Sequence, residues 1–337
     1  MSDREGDSGA SDLRFNVDGE VVAADEATVN VRDRGFMYGD AAFETMRVYG
    51  GDVFRWEAHA NRLQSTCESL ELDHGLSDAT LRDRIDETLA ANDLAEAYVK
   101  LSISRGVQPG KLDPAPDVNP TVVVYVSPLP RGSVAGESVW DAPATLQTTK
   151  TRRVPDRAIP SDAKTHNYLN GILARLELRA SDADEALMLD DDGHVAEGAT
   201  SNLFFVDGTA LRTPSLDGPV LPGITRDVVI DLAAEEGIPV EEGQYTPADV
   251  READEVFLTN STWEIRPVTT VDGISVAPES AAGADGSAAG PPGDGAEGGS
   301  SGGGAEGGSS GDSDAIRPVT KLLSRLFDQH VETRHYD

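Results

Sequence analysis

The amino-acid sequence predicts a mixed α+β chain in two domains. Runs of strict period-two alternation, such as AYVKLSIS at 97–104, occur in both halves. Apolar residues at helical spacing lie between those runs, as at Ala60, Leu63, Cys67 and Leu70. The length, 337 residues, exceeds one ordinary core, and a proline-bounded connection begins at Pro128. The expected plan is an acidic disordered tail at 1–12, a small N-terminal α/β domain at 13–130, and a connection at 131–137. A larger C-terminal domain follows at 138–337, with a low-complexity insertion at 278–314.

Taken in order, FNVDGEVV reads as a hairpin turning at Asp18-Gly19, followed by an extended stretch through ATVNV. A loop then leads to a strand from about 42 to 48, a Gly50-Gly51 turn and a return strand. The period of two puts Phe43, Thr45 and Arg47 on one face and Ala42, Glu44 and Met46 on the other, a mixed pattern suited to the border of a site. Helices are expected at 57–70 and 81–91, the first with Arg62 beside its apolar stripe. In the strand at 97–104, Val99, Leu101 and Ile103 share the core face, which leaves Tyr98 and Lys100 with solvent as the plainer reading. TVVVYVSPLP is expected as a buried strand.

In the second half a lysine, Lys164, precedes a helix, and a hairpin after that helix returns at Glu197. Two strands turn at Asp207-Gly208, and LPGITRDVVIDLAAEEGI enters a helix with Thr225 as expected N-cap and Gly237 as stop. DEVFLTNS and TWEIRPVTTVDGISV supply the last strands. The insertion repeats AEGGSSG at 296–302 and 305–311 and holds too little apolar surface to offset its ordering entropy, so a flexible surface segment is expected. The chain resumes as an amphipathic helix with Leu322, Leu323, Leu326 and Phe327 inward.

The net charge is −32, spread along the chain. Such a surface repels nucleic-acid phosphates and anionic membranes, so neither is an expected partner. Dispersed carboxylates fit solvation in concentrated salt better than an acidic interaction tail, and a salt-adapted cytoplasmic protein is expected. Cys67 is the one cysteine, which excludes an intrachain disulfide. The N-terminus lacks the apolar core of a signal peptide, and no apolar run approaches a membrane span.

Only five lysines occur, so an amine nucleophile has few candidates, and Lys164 is the one in a non-random setting. A lysine serves carbonyl chemistry when its amine is neutral or already held as a Schiff base. With pyridoxal phosphate it needs an acid for the pyridine nitrogen, donors for the phosphate and a partner for the phenolic oxygen. Glu197, then Thr225 with Arg62, then Tyr168 are available for these roles. Singly, each is more often an ordinary surface or turn residue. Their combination is what resists that reading, and it calls for no metal.

Six motifs carry a resemblance: YGDAAFET at 38–45, HANRL at 59–63, KTHNYLNGILARLEL at 164–178, DEALMLDDDGHVAEGATSNLFFV at 184–206, LPGITR at 221–226 and TNSTWEIRPV at 259–268. In this order they resemble class IV aminotransferases, the fold-type IV pyridoxal-phosphate enzymes. That family includes branched-chain and D-amino acid aminotransferases and aminodeoxychorismate lyases. The resemblance implies two α/β domains with the cofactor at their interface, and a homodimer whose partner subunit completes the pocket. It implies Lys164 as Schiff-base lysine and proton shuttle, Glu197 at the pyridine nitrogen, Tyr168 at the phenolic oxygen, and Arg62, Ile224, Thr225 and Ser261 at the phosphate. Thr262 falls in the turn that meets the substrate carboxylate.

The implied activity is ping-pong transfer of an amino group from a branched-chain or similar L-amino acid to a 2-oxo acid. Tyr38, Phe43 and Tyr98 would wall an apolar side-chain pocket, with Lys100 and Trp263 beside it. Thr45 stands where the branched-chain group usually has glycine, Lys100 where arginine is common, and Trp263 where a small residue is usual. FETMR and SRG also occur in lyase-like members, which release pyruvate from 4-amino-4-deoxychorismate to give 4-aminobenzoate. A D-amino acid aminotransferase is the third reading, and an acidic binding protein without catalysis is the fourth.

Overall fold

The computed structural model describes residues 12–131, 140–276 and 318–336. The expected tail, connection and insertion fall outside the described residues, but for residues 12 and 131. The first half holds β1 (Arg14–Val17), β2 (Glu20–Ala23), α1 (Arg34–Tyr38), β3 (Ala41–Tyr49), β4 (Asp52–Val53), α2 (Trp56–Ser69), α3 (Asp78–Ala91), β5 (Ala97–Ser104) and β6 (Thr121–Pro128). Its strands form an antiparallel sheet in the order β2-β1-β6-β5-β3-β4. The β1–β2 turn uses positive φ at both Asp18 and Gly19, the backbone a two-residue hairpin requires.

One face of this sheet packs under α2 and α3, where Leu63, Cys67, Leu81 and Ile85 meet Met46, Val99 and Leu101. Burying each of the larger side chains contributes roughly 1.5–3 kcal/mol. Ser77 Oγ caps α3 by accepting from Thr80 N at 3.1 Å, which starts the helix before the expected Leu81. Such a cap contributes about 1 kcal/mol. Three local expectations change. Arg34–Tyr38 is a short helix, not loop, because Asp33 caps its start and Gly39 takes the left-handed conformation at its end. The return strand β4 is only two residues long. And β6 alternates instead of being buried throughout, with Tyr125 40% exposed between Val124 and Val126.

The second half holds β7 (Ala144–Thr148), α4 (Leu169–Glu177), β8 (Glu185–Leu189), β9 (Val195–Gly198), β10 (Asn202–Asp207), β11 (Ala210–Pro214), α5 (Ile224–Glu235), β12 (Val240–Gly243), α6 (Pro247–Arg251), β13 (Glu255–Asn260), β14 (Glu264–Val271), β15 (Ile274–Ser275) and α7 (Pro318–His335). The strands run β12-β11-β10-β13-β14-β7-β8-β9, with β15 on β14. β12 lies parallel to β11, and α5 is the crossover between them. α5 and α7 cover one face, where Leu323 and Phe327 reach Phe204, Phe257 and, from the first half, Tyr49 and Phe54. Leu322 is only half-buried, because the inward stripe of α7 runs instead through Thr320, Leu323, Phe327 and Val331. No helix among the described residues is long and apolar enough to cross a membrane.

Candidate active site

The two sheets enclose a cavity of about 590 Å³ lined by residues from both. From the first sheet come Phe43, Thr45, Tyr98 and Lys100, the face opposite α2 and α3. The sequence reading left Tyr98 and Lys100 to solvent, but that face is half-buried and lines the cavity.

Lys164 arrives on the segment before α4, and backbone bonds hold it. Phe43 N donates to Lys164 O at 3.0 Å, His166 N to Ala41 O at 3.0 Å, and Lys164 N to Thr66 Oγ1 at 3.0 Å. The segment thus lies on β3 as a one-bridge extension of the other sheet, pairing Thr165 with Ala42. Lys164 Nζ donates to Tyr168 Oη at 3.2 Å and sits 4.8 Å from the centre of the Phe43 ring. Lys100 Nζ sits 4.6 Å from the same ring. Burial, then the Lys164 charge, lowers the Lys100 ammonium from its ordinary value. Burial, with Lys100 next, pushes the His166 imidazole down to about 4, so it is neutral near pH 7.

Glu197, on β9, is 6% exposed. Its Oε1 accepts from Arg153 Nε at 2.6 Å, and its Oε2 accepts from Leu221 N at 3.0 Å and Asn202 Nδ2 at 3.4 Å. Burial raises this carboxyl above the ordinary value, while Arg153 and the Leu221 N–H pull it back. Arg153 is itself presented by α4. Glu177 accepts from the N–H groups of Lys150 and Thr151, and Asn170 binds Arg152 O and Val154 N.

Across the cavity α5 begins at Ile224, with Gly223 and not Thr225 as its N-cap. Only glycine fits at that cap, because a Cβ there would collide with Asn202 Oδ1. The N–H groups of Ile224 and Thr225 precede the first helical bond, from Asp227 N to Gly223 O, and the positive end of a helix at such groups suits an anion. Arg62 joins them on the cavity wall. Ser261, Thr262 and Trp263 form the turn between β13 and β14 and also line the cavity. Asn260 Oδ1 accepts from Thr262 N, Thr262 Oγ1 and Trp263 N, so those donors are engaged within the turn. Arg47 Nη1 braces it from behind by donating to Thr262 O at 3.1 Å, and its Nη2 donates to Pro130 O.

Of the residues expected in the site, Tyr38 alone is not brought to the cavity. It lies on α1, where the Arg34 guanidinium stands 5.0 Å from its ring, because Gly39 turns the chain before β3. Sequence reasoning missed Arg153, Asn202 and His166, and it gave Glu44 no role. Only Glu44 carried a signal, as an acid on the apolar face of a strand.

In a chain of charge −32, the cavity lining carries Arg62, Lys100, Arg153 and Lys164 against Glu197 as its one acid. Ser201 Oγ and Thr259 Oγ1, both lining it, have no hydrogen-bond partner among the described residues. An amine beside a phenol, a buried carboxylate, and a guanidinium beside a helix N-terminus complement a carbonyl with a neighbouring phenolic oxygen, a basic ring nitrogen and a phosphate. That set fits pyridoxal phosphate. Among the described residues no cluster of side chains is arranged for a metal ion.

The family model described as amino-transferase class IV matches residues 41–271. A putative branched-chain-amino-acid aminotransferase of Methanocaldococcus jannaschii is 40% identical over 261 residues, 77% of this chain and 88% of that protein. A D-alanine aminotransferase of Listeria innocua is 34% identical over 270 residues, 79% of this chain and 90% of that one. The crystal structure of a T.th. branched-chain amino acid aminotransferase with pyridoxamine 5′-phosphate superposes with a TM-score of 0.78 at 27% identity, covering 96% of this chain and 95% of that chain. With its motifs in order and its fold shared, the chain belongs to the class IV aminotransferases, the fold-type IV enzymes that work with pyridoxal 5′-phosphate.

Proposed function

We propose that this enzyme moves an amino group from a branched-chain or similar L-amino acid to a 2-oxo acid, in two half-reactions at one cavity. The observation that carries it is the placement of Lys164 Nζ, against Tyr168 Oη and the Phe43 ring, in a cavity that also holds the buried Glu197. Pyridoxal phosphate supplies the carbon that receives the amino group and a ring that accepts the electron pair left at the substrate Cα. Lys164 would anchor that cofactor, with Glu197 at its ring nitrogen, Tyr168 at its phenolic oxygen, and Arg62, Ile224, Thr225 and Ser261 at its phosphate.

Lys164 Nζ takes the proton from the substrate Cα as general base and, as general acid, would deliver it to the cofactor carbon that receives the amino group. Tyr168 Oη, 3.2 Å away, fixes where Nζ waits. Glu197, held from three sides by Arg153, Leu221 and Asn202, keeps a proton on the ring nitrogen. Phe43, Tyr98 and Trp263 wall the substrate side chain. Among the described residues no ion pair engages Lys100, which leaves its ammonium for a substrate carboxylate near the Thr262 turn.

With L-leucine and 2-oxoglutarate in concentrated salt, the loaded enzyme is expected to form glutamate. Loaded enzyme that forms none from leucine, isoleucine or valine would overturn this substrate assignment. The lyase is the second reading, favoured by the Thr45 hydroxyl in the cavity wall beside Tyr98. It is distinguished by pyruvate released from 4-amino-4-deoxychorismate without any acceptor. D-Alanine as the better donor would favour the third reading.

The enzyme is further proposed to work as a homodimer in a salt-rich cytoplasm, the setting its dispersed acidic charge suits. Leu169, Ile172, Leu173 and Leu176, spaced as one stripe of α4, are 64, 52, 46 and 42% exposed. Ile172 also lines the cavity, so a second copy seated on α4 closes its mouth. Tyr38 would then serve the neighbouring cavity. A Leu173→Asp protein is expected to halve in mass by light scattering; an unchanged mass places the dimer contact elsewhere.

A further inference from the structure

Behind the cavity wall, Arg62 is part of a buried trio whose geometry the reaction does not explain. Glu44, on β3, is 1% exposed and faces the apolar cluster with Ala42 and Met46. Its Oε1 accepts from Arg62 Nε at 2.7 Å, and its Oε2 accepts from Arg62 Nη2 at 2.7 Å. The same Oε2 lies 2.7 Å from Nδ1 of His59, one turn before Arg62 on α2. Burial opposes the Glu44 charge, yet Arg62 and His59 outweigh it and hold the carboxyl down to about 2. Burial also lowers the His59 imidazole. The Glu44 carboxylate can only accept, so His59 donates its Nδ1–H to it.

A charged group in an apolar cluster costs stability unless it is paired, and a hydrophobic pair of the same volume would serve packing as well or better. The trio therefore needs a reason beyond packing, and the guanidinium supplies one. Glu44 occupies the edge made by Nε and Nη2. Nη1 spends one N–H on Pro222 O at 2.7 Å, next to the Gly223 cap of α5. One N–H on each terminal nitrogen remains, enough donors to bind a phosphate by two points.

We propose that Glu44 and His59 are positioning residues for the cofactor phosphate. They hold Arg62 by one edge so that its other edge is offered, together with the α5 N-terminus, to a phosphate monoester. The proposal rests on the reading of the cavity as the pyridoxal-phosphate site. It predicts that their effect reaches the phosphate and not the ring of the cofactor.

Apoenzyme is titrated with pyridoxal 5′-phosphate and, separately, with pyridoxal, which has the same ring and no phosphate. In Glu44→Gln, affinity for the phosphate form is expected to fall on the order of 10- to 100-fold, the range for one charge-assisted contact, while pyridoxal affinity is unchanged. His59→Asn is expected to give a smaller loss of the same selective kind, and it carries the comparison should Glu44→Gln not fold. Equal loss for both ligands, or no loss for either, overturns the positioning role. A wild type that binds both forms equally removes the phosphate reading itself, and the proposal with it.

Discussion

Replacing Lys164 by alanine is expected to lower transamination by about ten-thousand-fold or more, because in the proposed assignment one side chain is both anchor and proton carrier. Two observables separate this from a folding defect. Borohydride treatment of the loaded wild type is expected to fix the cofactor to the peptide containing Lys164, read by mass spectrometry. The alanine protein should show no fixed cofactor while keeping its thermal unfolding profile, since the segment is held by main-chain bonds to β3 and by Lys164 N donating to Thr66 Oγ1. Cofactor fixed on another lysine of the variant would move the assignment. Lys100, whose ammonium shares the Phe43 ring with that of Lys164, is the residue to inspect first.

The second large effect belongs to Glu197. Glutamine keeps the shape and removes the charge, so Glu197→Gln is expected to cut kcat on the order of 100- to 1000-fold, the size seen when one preorganised electrostatic contact is lost. Cofactor should still be fixed by borohydride, because the amine is untouched. A kcat within a few-fold of wild type would mean that this carboxylate does not govern the ring nitrogen. Arg153 gives the internal control. Its guanidinium opposes the burial that raises the Glu197 carboxyl, so substitution of either partner acts on the same protonation state.

Strands were legible wherever packing imposes a period of two. In β5 the burial alternates residue by residue, with Val99, Leu101 and Ile103 fully enclosed, as the letters suggest. What the letters conceal is the second environment. Tyr98 and Lys100 read as solvent-facing because polarity alone does not separate a wet surface from a polar cavity. α1 escaped notice because five residues carry no periodicity, and its signals are a single Asp33 cap and a left-handed Gly39. Residue type favours Thr225 as a cap, but the backbone is still extended at Gly223 and turns helical from Ile224, so Thr225 lies inside the first turn. Arg153 was invisible for another reason. It lies in an irregular segment whose course is set by Glu177 and Asn170, so only the folded chain joins it to Glu197.

The attachment of the lysine segment to β3 bears on how such a scaffold can diverge. Phe43 N, Lys164 O, His166 N and Ala41 O are main-chain atoms, present whatever side chains evolve at those positions. The amine therefore keeps its station without constraining its neighbours, while the cavity walls proposed to meet the substrate, Thr45, Lys100 and Trp263, are side chains open to replacement. Relatives named for branched-chain and for D-alanine transfer, 40% and 34% identical to this chain, are the kind of pair such a division of labour permits. Specificity can drift at the walls while the reactive nitrogen stays fixed.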